Sequence, residues 1–303
     1  MENVSTSLNN IKKQEKRKNI VFLILIYIFL IIAAISVLFP FYWMIQNSLK
    51  TLSDYTSEIN PSFFPANLTF ENYEAAWTAV SLGKYMINTI IFSVITTALL
   101  LIVCIFAAFA FARLEFVGKN VVFTIFLATM MIPMELFTIT NYATIVNLNL
   151  RNSFVGLIFP SVMSVFYIYL LRQNFMQVSD QVYYAAKVDG TSDLKYLFKV
   201  LVPLSKPTLI SIAILKFIEC WNSYVWPRLV TTEESKFLIS NGIQTLRSSG
   251  FGRENIPAMM AAVVCVSIPL LILFAVFRKQ IMSGVSKSGL KGWYEWKRKY
   301  FIY

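Results

Sequence analysis

An all-α membrane protein is the fold class this sequence predicts: six transmembrane helices, N and C termini cytoplasmic, and a cytoplasmic helix-turn-helix loop between helices 4 and 5. Three observations predict it. Hydrophobic residues make up 57% of the chain and charged residues 14%, against roughly a quarter charged in soluble domains. Apolar runs recur at Ile20–Ile45, Tyr85–Ala112, Val121–Thr140, Ser153–Leu171, Thr208–Leu229 and Ile256–Phe277, each near the ~20 residues that cross a hydrocarbon core. Lys and Arg crowd one alternate set of the connecting segments, which marks the cytoplasmic side.

In chain order, residues 1–19 are a polar arm carrying Lys12, Lys13, Lys16, Arg17 and Lys18. The apolar run that follows is longer than the ~7–15 residues of a signal peptide, so it reads as a retained first helix. Arg113 and Lys119, then Arg172, Lys187, Lys195, Lys199 and Lys206, and finally the tail from Arg278 to Lys299 continue the basic set. The opposite set holds only Lys50, Lys84, Arg151, Lys236, Arg247 and Arg253. Residues 20–303 thus form a single transmembrane domain, with a core over 85–277, a cytoplasmic loop over 176–207 and a basic tail over 278–303. Two long external segments remain, Gln46–Gly83 and Val230–Asn255. The first, with Pro61 and Pro65, is too long for a hairpin and is expected to be partly folded.

Composition also excludes functions. The chain has no His, which removes imidazole catalysis and His-ligated metal. Cys104, Cys220 and Cys265 lie singly in apolar runs, a pattern of burial and neither of zinc nor of disulfides. A formal charge of +11 placed beside apolar spans orients the chain in the bilayer, and no nucleic-acid partner is implied. The nearest match to a phosphate-binding loop, Gly284 to Gly289, is followed by Leu290-Lys291 and preceded by no strand. If ATP drives this protein, another chain binds it.

The cytoplasmic loop is the most informative stretch. Ser179 or Asp180 can cap a short helix, Asp189-Gly190 supplies the left-handed turn that ends it, and Ser192 can cap a second helix that Pro203 terminates. On that second helix Leu194, Leu197, Phe198 and Leu201 fall at i, i+3, i+4, i+7, making an apolar face. Such a helix either lies on lipid headgroups or docks in the groove of a soluble partner.

Tyr184-Ala185-Ala186, Gly190 and Pro203 resemble the signature loop of the permease subunits of ABC importers, with Tyr184 where that family carries Glu. The resemblance extends through Pro40-Phe41-Tyr42-Trp43-Met44-Ile45 with Ser48-Leu49-Lys50, Leu68 to Tyr73, Asn88-Thr89, Ala107 to Leu114, Met130 to Pro133, Leu170-Leu171-Arg172-Gln173, Trp221-Asn222, Trp226-Pro227 and Gly284 to Gly292. Taken in order, these are similar to the second permease of carbohydrate importers of the maltose type. The resemblance implies a sugar or oligosaccharide importer in the cell membrane of a bacterium, Gram-positive by its Lys, Asn and Ile usage. It further implies a second homologous permease, two ATPase subunits that bind ATP and Mg, and an extracellular sugar-binding protein, with no cofactor in this chain and no enzymatic activity of its own.

On that resemblance Tyr184, Ala185, Ala186, Asp189, Gly190, Leu194, Leu197, Phe198, Leu201 and Pro203 couple the chain to an ATPase. Leu194, Leu197, Phe198 and Leu201 would fill its groove, and Gly190→Val or Leu197→Asp would uncouple transport with the fold intact. Candidate path residues are Glu135, Lys216, Glu219, Trp221, Asn222 and Tyr224: ionisable groups within a span mark functional sites by default, and aromatics and amides suit sugars. A neutralised Lys216–Glu219 pair packed between helices, and an interfacial belt for Trp221 and Trp226, are the structural alternatives. By position alone the resemblance gives Asn241, Gly242, Gly250 and Gly252 a contact with the binding protein. An ion-coupled transporter using Lys216, Glu219 and Glu135 is the competing function; it would usually carry inverted repeats, and none is evident.

Overall fold

The computed structural model describes residues 2–300, with side chains described over 19–280 apart from Met134 and Arg253. The side chains of the basic arm before Asn19, of Arg253, and of the tail after Gln280 lie outside the described residues. The described chain is helical throughout, its one extended pairing being a Lys50–Leu68 bridge.

Among the described residues, three helices are long and apolar enough to cross a membrane: Asn19–Ser48, Leu82–Arg113 and Ile256–Gln280. Three further pairs pass the same test only when taken together: Lys119–Met131 with Glu135–Asn147, Phe154–Ser161 with Val165–Met176, and Asp193–Leu204 with Lys206–Trp221, bent by 85°, 50° and 78°. The predicted run Val121–Thr140 is therefore not one straight helix. Pro133 offers no N–H and pushes Ile132 into extended backbone (φ −91°, ψ 117°), so the chain turns there. Ser153–Leu171 breaks before Ser164, which is also extended, just beyond the 3-10 turn that holds Pro160. Thr208–Leu229 divides into Lys206–Trp221 and Val225–Val230. Pro40 and Pro269, by contrast, sit inside continuous helices, Glu2–Ser48 and Ile256–Tyr300.

Contacts divide the chain into two compact units. One comprises the chain up to Ala76 with Gly252–Val264. Its organising residue is Lys50, 0% exposed, whose ammonium lies 2.7 Å from the Glu58 carboxylate and donates to Ser62 O at 3.2 Å. Buried Asn72 donates to Ser48 O (2.9 Å) and Lys50 O (2.6 Å), and Thr69 N donates to Leu49 O (2.9 Å). Segments Ser48–Lys50 and Leu68–Tyr73, both singled out in the sequence, are thus held to each other, and Gln46–Gly83 is partly folded as expected. Hydrogen bonds from Lys50 and then Ser62 hold the Glu58 pKa at about 2.

The second unit comprises Trp77–Phe251 with the chain from Cys265. Leu82–Arg113 is its axis, against which Val165–Met176 and Lys206–Trp221 pack. Leu100, Cys104, Ala108, Phe109, Ile168, Leu171, Phe175 and Ile212 fill the space between them. Towards the other end, Phe92, Ile145, Leu157, Cys220, Val230 and Leu238 form a second cluster. Asn88 donates to the carbonyls of Ser235 and Phe237 (3.0 Å each), and Thr89 Oγ1 accepts from Ile239 N (2.8 Å). Those bonds satisfy an irregular segment and an uncapped helix start, which explains two polar residues in an otherwise apolar run. All three cysteines are free; Cys104 and Cys220 are buried and Cys265 is partly so.

Candidate functional site

Residues 176–207 form an elbow of two short limbs. Ser179 caps the first, Asp180–Val188, by accepting from Gln181 N at 3.3 Å. Asp180 in its first turn and Lys187 in its last match the helix dipole. Gly190 takes φ +70°, the left-handed turn the sequence calls for, and Ser192 caps the second limb through Lys195 N at 3.4 Å. That limb runs Asp193–Tyr196, widens to a π-helical turn over Leu197–Leu201, and continues through Val202–Leu204. Pro203 therefore does not terminate it. The wide turn, in which Val202 N donates to Leu197 O, absorbs the missing proline N–H, and the chain bends at Ser205 instead.

Side chains brace the corner. Asp193 accepts from Tyr183 Oη (2.7 Å) and lies 2.6 Å from Lys187 Nζ, so one carboxylate ties both limbs across Gly190. These bonds, from Lys187 first and Tyr183 second, lower the Asp193 pKa, and the same Asp193 contact raises that of Lys187. Tyr183 also meets Tyr196 edge to face, with ring centroids 5.0 Å apart. At the base of the elbow, Arg113 from the end of the axial helix is buried; it pairs with Asp180 and donates to Phe175 O (2.8 Å) and Val178 O. One guanidinium thus closes the carbonyl end of Val165–Met176 and anchors the first limb.

Two predicted docking residues are not available to a partner. Leu197 and Leu201 are 0% exposed and belong, with Tyr196, to the core around Leu100, Cys104 and Ile212. The helical period of the sequence is real, but the π turn and the packing against Leu82–Arg113 direct those positions inward. Leu194 and Phe198 remain exposed, Phe198 with an edge contact to Phe106. Tyr184 (64% exposed) and Ala185 face outward, and so do Val182 and Val188 (87% exposed), which the sequence reading missed. Their signal was visible as two β-branched apolar residues, one near each end of the helix Asp180–Val188. Ala186 packs inward. Arg113, Tyr183, Lys187 and Asp193 were read only as charges or left unassigned; the Arg113 contacts join distant parts of the chain, and those of Tyr183 and Lys187 with Asp193 form only once the turn at Gly190 folds the two limbs together.

Lys216 and Glu219 do pair, at 2.8 Å, with the lysine buried and the carboxylate open. Tyr167 donates to the other carboxylate oxygen at 3.2 Å, so the pair bridges Lys206–Trp221 and Val165–Met176. Glu135 is not one of its partners: it is exposed on the 3-10 turn Met134–Phe137, and no ion pair to it occurs among the described residues. Trp221 is buried against Phe217 (5.9 Å between centroids), which removes it from an open path and from an interfacial belt alike. Asn222 and Tyr224 are exposed where that helix ends.

The positions proposed for a binding-protein contact fare similarly. Asn241 is buried and donates to Thr231 Oγ1 at 3.3 Å. Gly242 is buried, and a Cβ there would stand 2.2 Å from Tyr85 Cδ2, so glycine permits the close approach of its helix to Leu82–Arg113. Gly252 is also buried, while Gly250 opens on free space. Thr232, Glu233 and Glu234 are among the exposed residues of 230–255.

The sequence profile of a family described as "Binding-protein-dependent transport system inner membrane component" matches residues 101–287. The chain is 30% identical over 262 residues to the diacetylchitobiose uptake system permease protein NgcG of Streptomyces coelicolor, covering 85% of each chain. It is 27% identical over 274 residues to the arabinooligosaccharides transport system permease protein AraQ of Bacillus subtilis, covering 90% of this chain and 97% of that one. The sn-glycerol-3-phosphate transport system permease protein UgpE of Yersinia pestis is 27% identical over 269 residues, with 86% and 95% covered. Among solved structures, one of a bacterial ABC transporter involved in importing the acidic polysaccharide alginate superposes with a TM-score of 0.79 at 25% identity, over 87% of this chain and 97% of that one.

Proposed function

Because the chain belongs to the family of inner membrane components of binding-protein-dependent transport systems, we propose that it is one of two permeases in an ATP-binding-cassette importer of a sugar or oligosaccharide. In this reading it crosses the membrane six times, counting each broken pair as one crossing, with both termini and the elbow cytoplasmic. A second, homologous permease completes the path. Two ATPase subunits hold ATP and Mg beneath it, and a sugar-binding protein delivers cargo from outside.

The observation that carries the proposal is the elbow. Its second limb is rooted in the core by Tyr196, Leu197 and Leu201, its corner is fixed by Gly190 and Asp193, and its free face is apolar. A stiff projection moves as a body with the helices it is rooted in, which is what transmitting a motor's closure needs. Tyr184, Ala185, Val188, Leu194 and Phe198 form the docking face, with Asp189 and Gly190 setting its angle; Ala186, Leu197, Leu201 and Pro203 hold it in place. Relatives named for diacetylchitobiose and arabino-oligosaccharides support a carbohydrate cargo. The Lys216–Glu219–Tyr167 group, neutral as a unit with one open carboxylate edge, suits a hydroxyl-rich molecule and needs no coupling ion.

Purification of the tagged chain from its own host in mild detergent tests the assignment. An ATPase and a second multi-span protein are expected to accompany it; a lone chain that accumulates solute on an ion gradient would overturn it.

A further inference from the structure

Beside the base of the elbow, the ends of three helices leave a cavity of about 450 Å³. Phe111 of Leu82–Arg113, Lys119 and Asn120 of Lys119–Ala128, Phe116 of the turn between them, and Arg172 of Val165–Met176 supply its walls. Arg172 is held in a defined plane. Its Nε donates to Phe111 O at 3.1 Å, and its guanidinium carbon lies 4.0 Å from the centroid of the Phe123 ring. Both contacts leave the two terminal amino groups free, and no ion pair to Arg172 occurs among the described residues. A guanidinium oriented through Nε and its π-face presents the fork that binds two oxygens of one anion.

Lys119 adds a second cation to the same cavity, its side chain 16% exposed. Its acid is Glu115, 3.3 Å away in an i,i+4 pair and 88% exposed, so solvent screens the carboxylate. The cavity therefore offers two positive groups against one solvent-facing carboxylate. Around it the surface is apolar: Phe116, Val117, Val121 and Met176 are all exposed. A free inorganic anion gains nothing from such a rim, whereas a glycerophospholipid has an anionic head for the fork and an apolar body for the rim.

We propose that this cavity binds the phosphate of an anionic phospholipid from the leaflet on the elbow's side, with Arg172 as its bidentate ligand and Lys119 as the second cation. The site is separate from the elbow's docking face. Arg172 lies one turn before Met176, from which the chain runs directly into the first limb, so an occupied cavity fastens the foot of the lever to the bilayer.

Native mass spectrometry of the chain purified with its partner subunits tests the proposal, with phosphatidylglycerol, phosphatidylcholine or inorganic phosphate added in turn. Phosphatidylglycerol is expected to be retained in preference to phosphatidylcholine, and retained roughly tenfold more weakly by Arg172→Gln. Lys84→Gln, which removes an exposed cation at the opposite end of Leu82–Arg113, is expected to change nothing. Equal retention of the two lipids, unchanged retention by Arg172→Gln, or displacement of the lipid by millimolar-scale inorganic phosphate would each overturn it. Should Arg172→Gln fail to assemble, Lys119→Gln carries the test without touching Phe111 or Phe123, and unchanged retention there is equally decisive. Lipid retention is read without any transport step, so its failure leaves the importer assignment untouched.

Discussion

At residue scale, single atoms set the tightest constraints. Gly242 approaches Tyr85 so closely that an added Cβ would fall 2.2 Å from Cδ2 of a buried ring. Gly242→Ala is therefore expected to cost about 1–3 kcal/mol of overpacking, measured as a lower melting temperature in detergent, while Gly250→Ala, in open space, is expected to be near neutral. The Lys50–Glu58 pair gives a pH prediction. Glu58 is held at about 2 against an ordinary 4.5, so its stabilising contribution is complete above 4.5 and is lost as pH falls through about 2. Pepsin cleavage within Gln46–Gly83, normalised to an unfolded control, is expected to stay slow until about pH 3 and then accelerate. Glu58→Gln leaves the buried Lys50 without its anion, and a neutral-pH protease is expected to cleave that variant quickly.

At element scale, the elbow separates residues that look alike in sequence. Leu197→Asp places a charge in the core beside Cys104 and Ile212 and is expected to unfold the second unit, so it does not report on coupling. Val188→Asp and Phe198→Asp alter the exposed face and are expected to abolish uptake while the chain still assembles in the membrane. Gly190→Val forces a β-branched residue to φ +70° and is expected to reorient the limbs with the same loss of uptake. Uptake into vesicles, scored beside expression and melting temperature, checks all three; normal uptake by Val188→Asp and Phe198→Asp together would remove the docking face assigned here. Both limb caps and the Gly190 turn were legible in the sequence because capping is local chemistry. The π turn was not, because it answers to Pro203 and to packing on Leu82–Arg113 at once.

At the scale of the whole molecule, apolar surface is what the chain leaves over. Side chains from Ile20 to Leu38 are almost all exposed, and the outer faces of Leu82–Arg113 and Ile256–Tyr300 carry Ile87, Val94, Leu271 and Phe274 in the same condition. Such surface suits lipid, and in the importer proposed above part of it would meet the second permease. Composition, run length and the placement of Lys and Arg determined by themselves that this is a helical membrane protein, because the bilayer acts on every residue of a span alike. Motif order likewise determined the family. Only the tertiary structure decided which face of each helix is spent internally: Leu197, Leu201, Trp221, Asn241 and Gly242 turned inward, Val182 and Val188 outward, and Arg113 and Asp193 became braces. Periodicity reports that a helix has an apolar side; which neighbour covers that side is settled by contacts between residues far apart in the chain, and no local pattern encodes them.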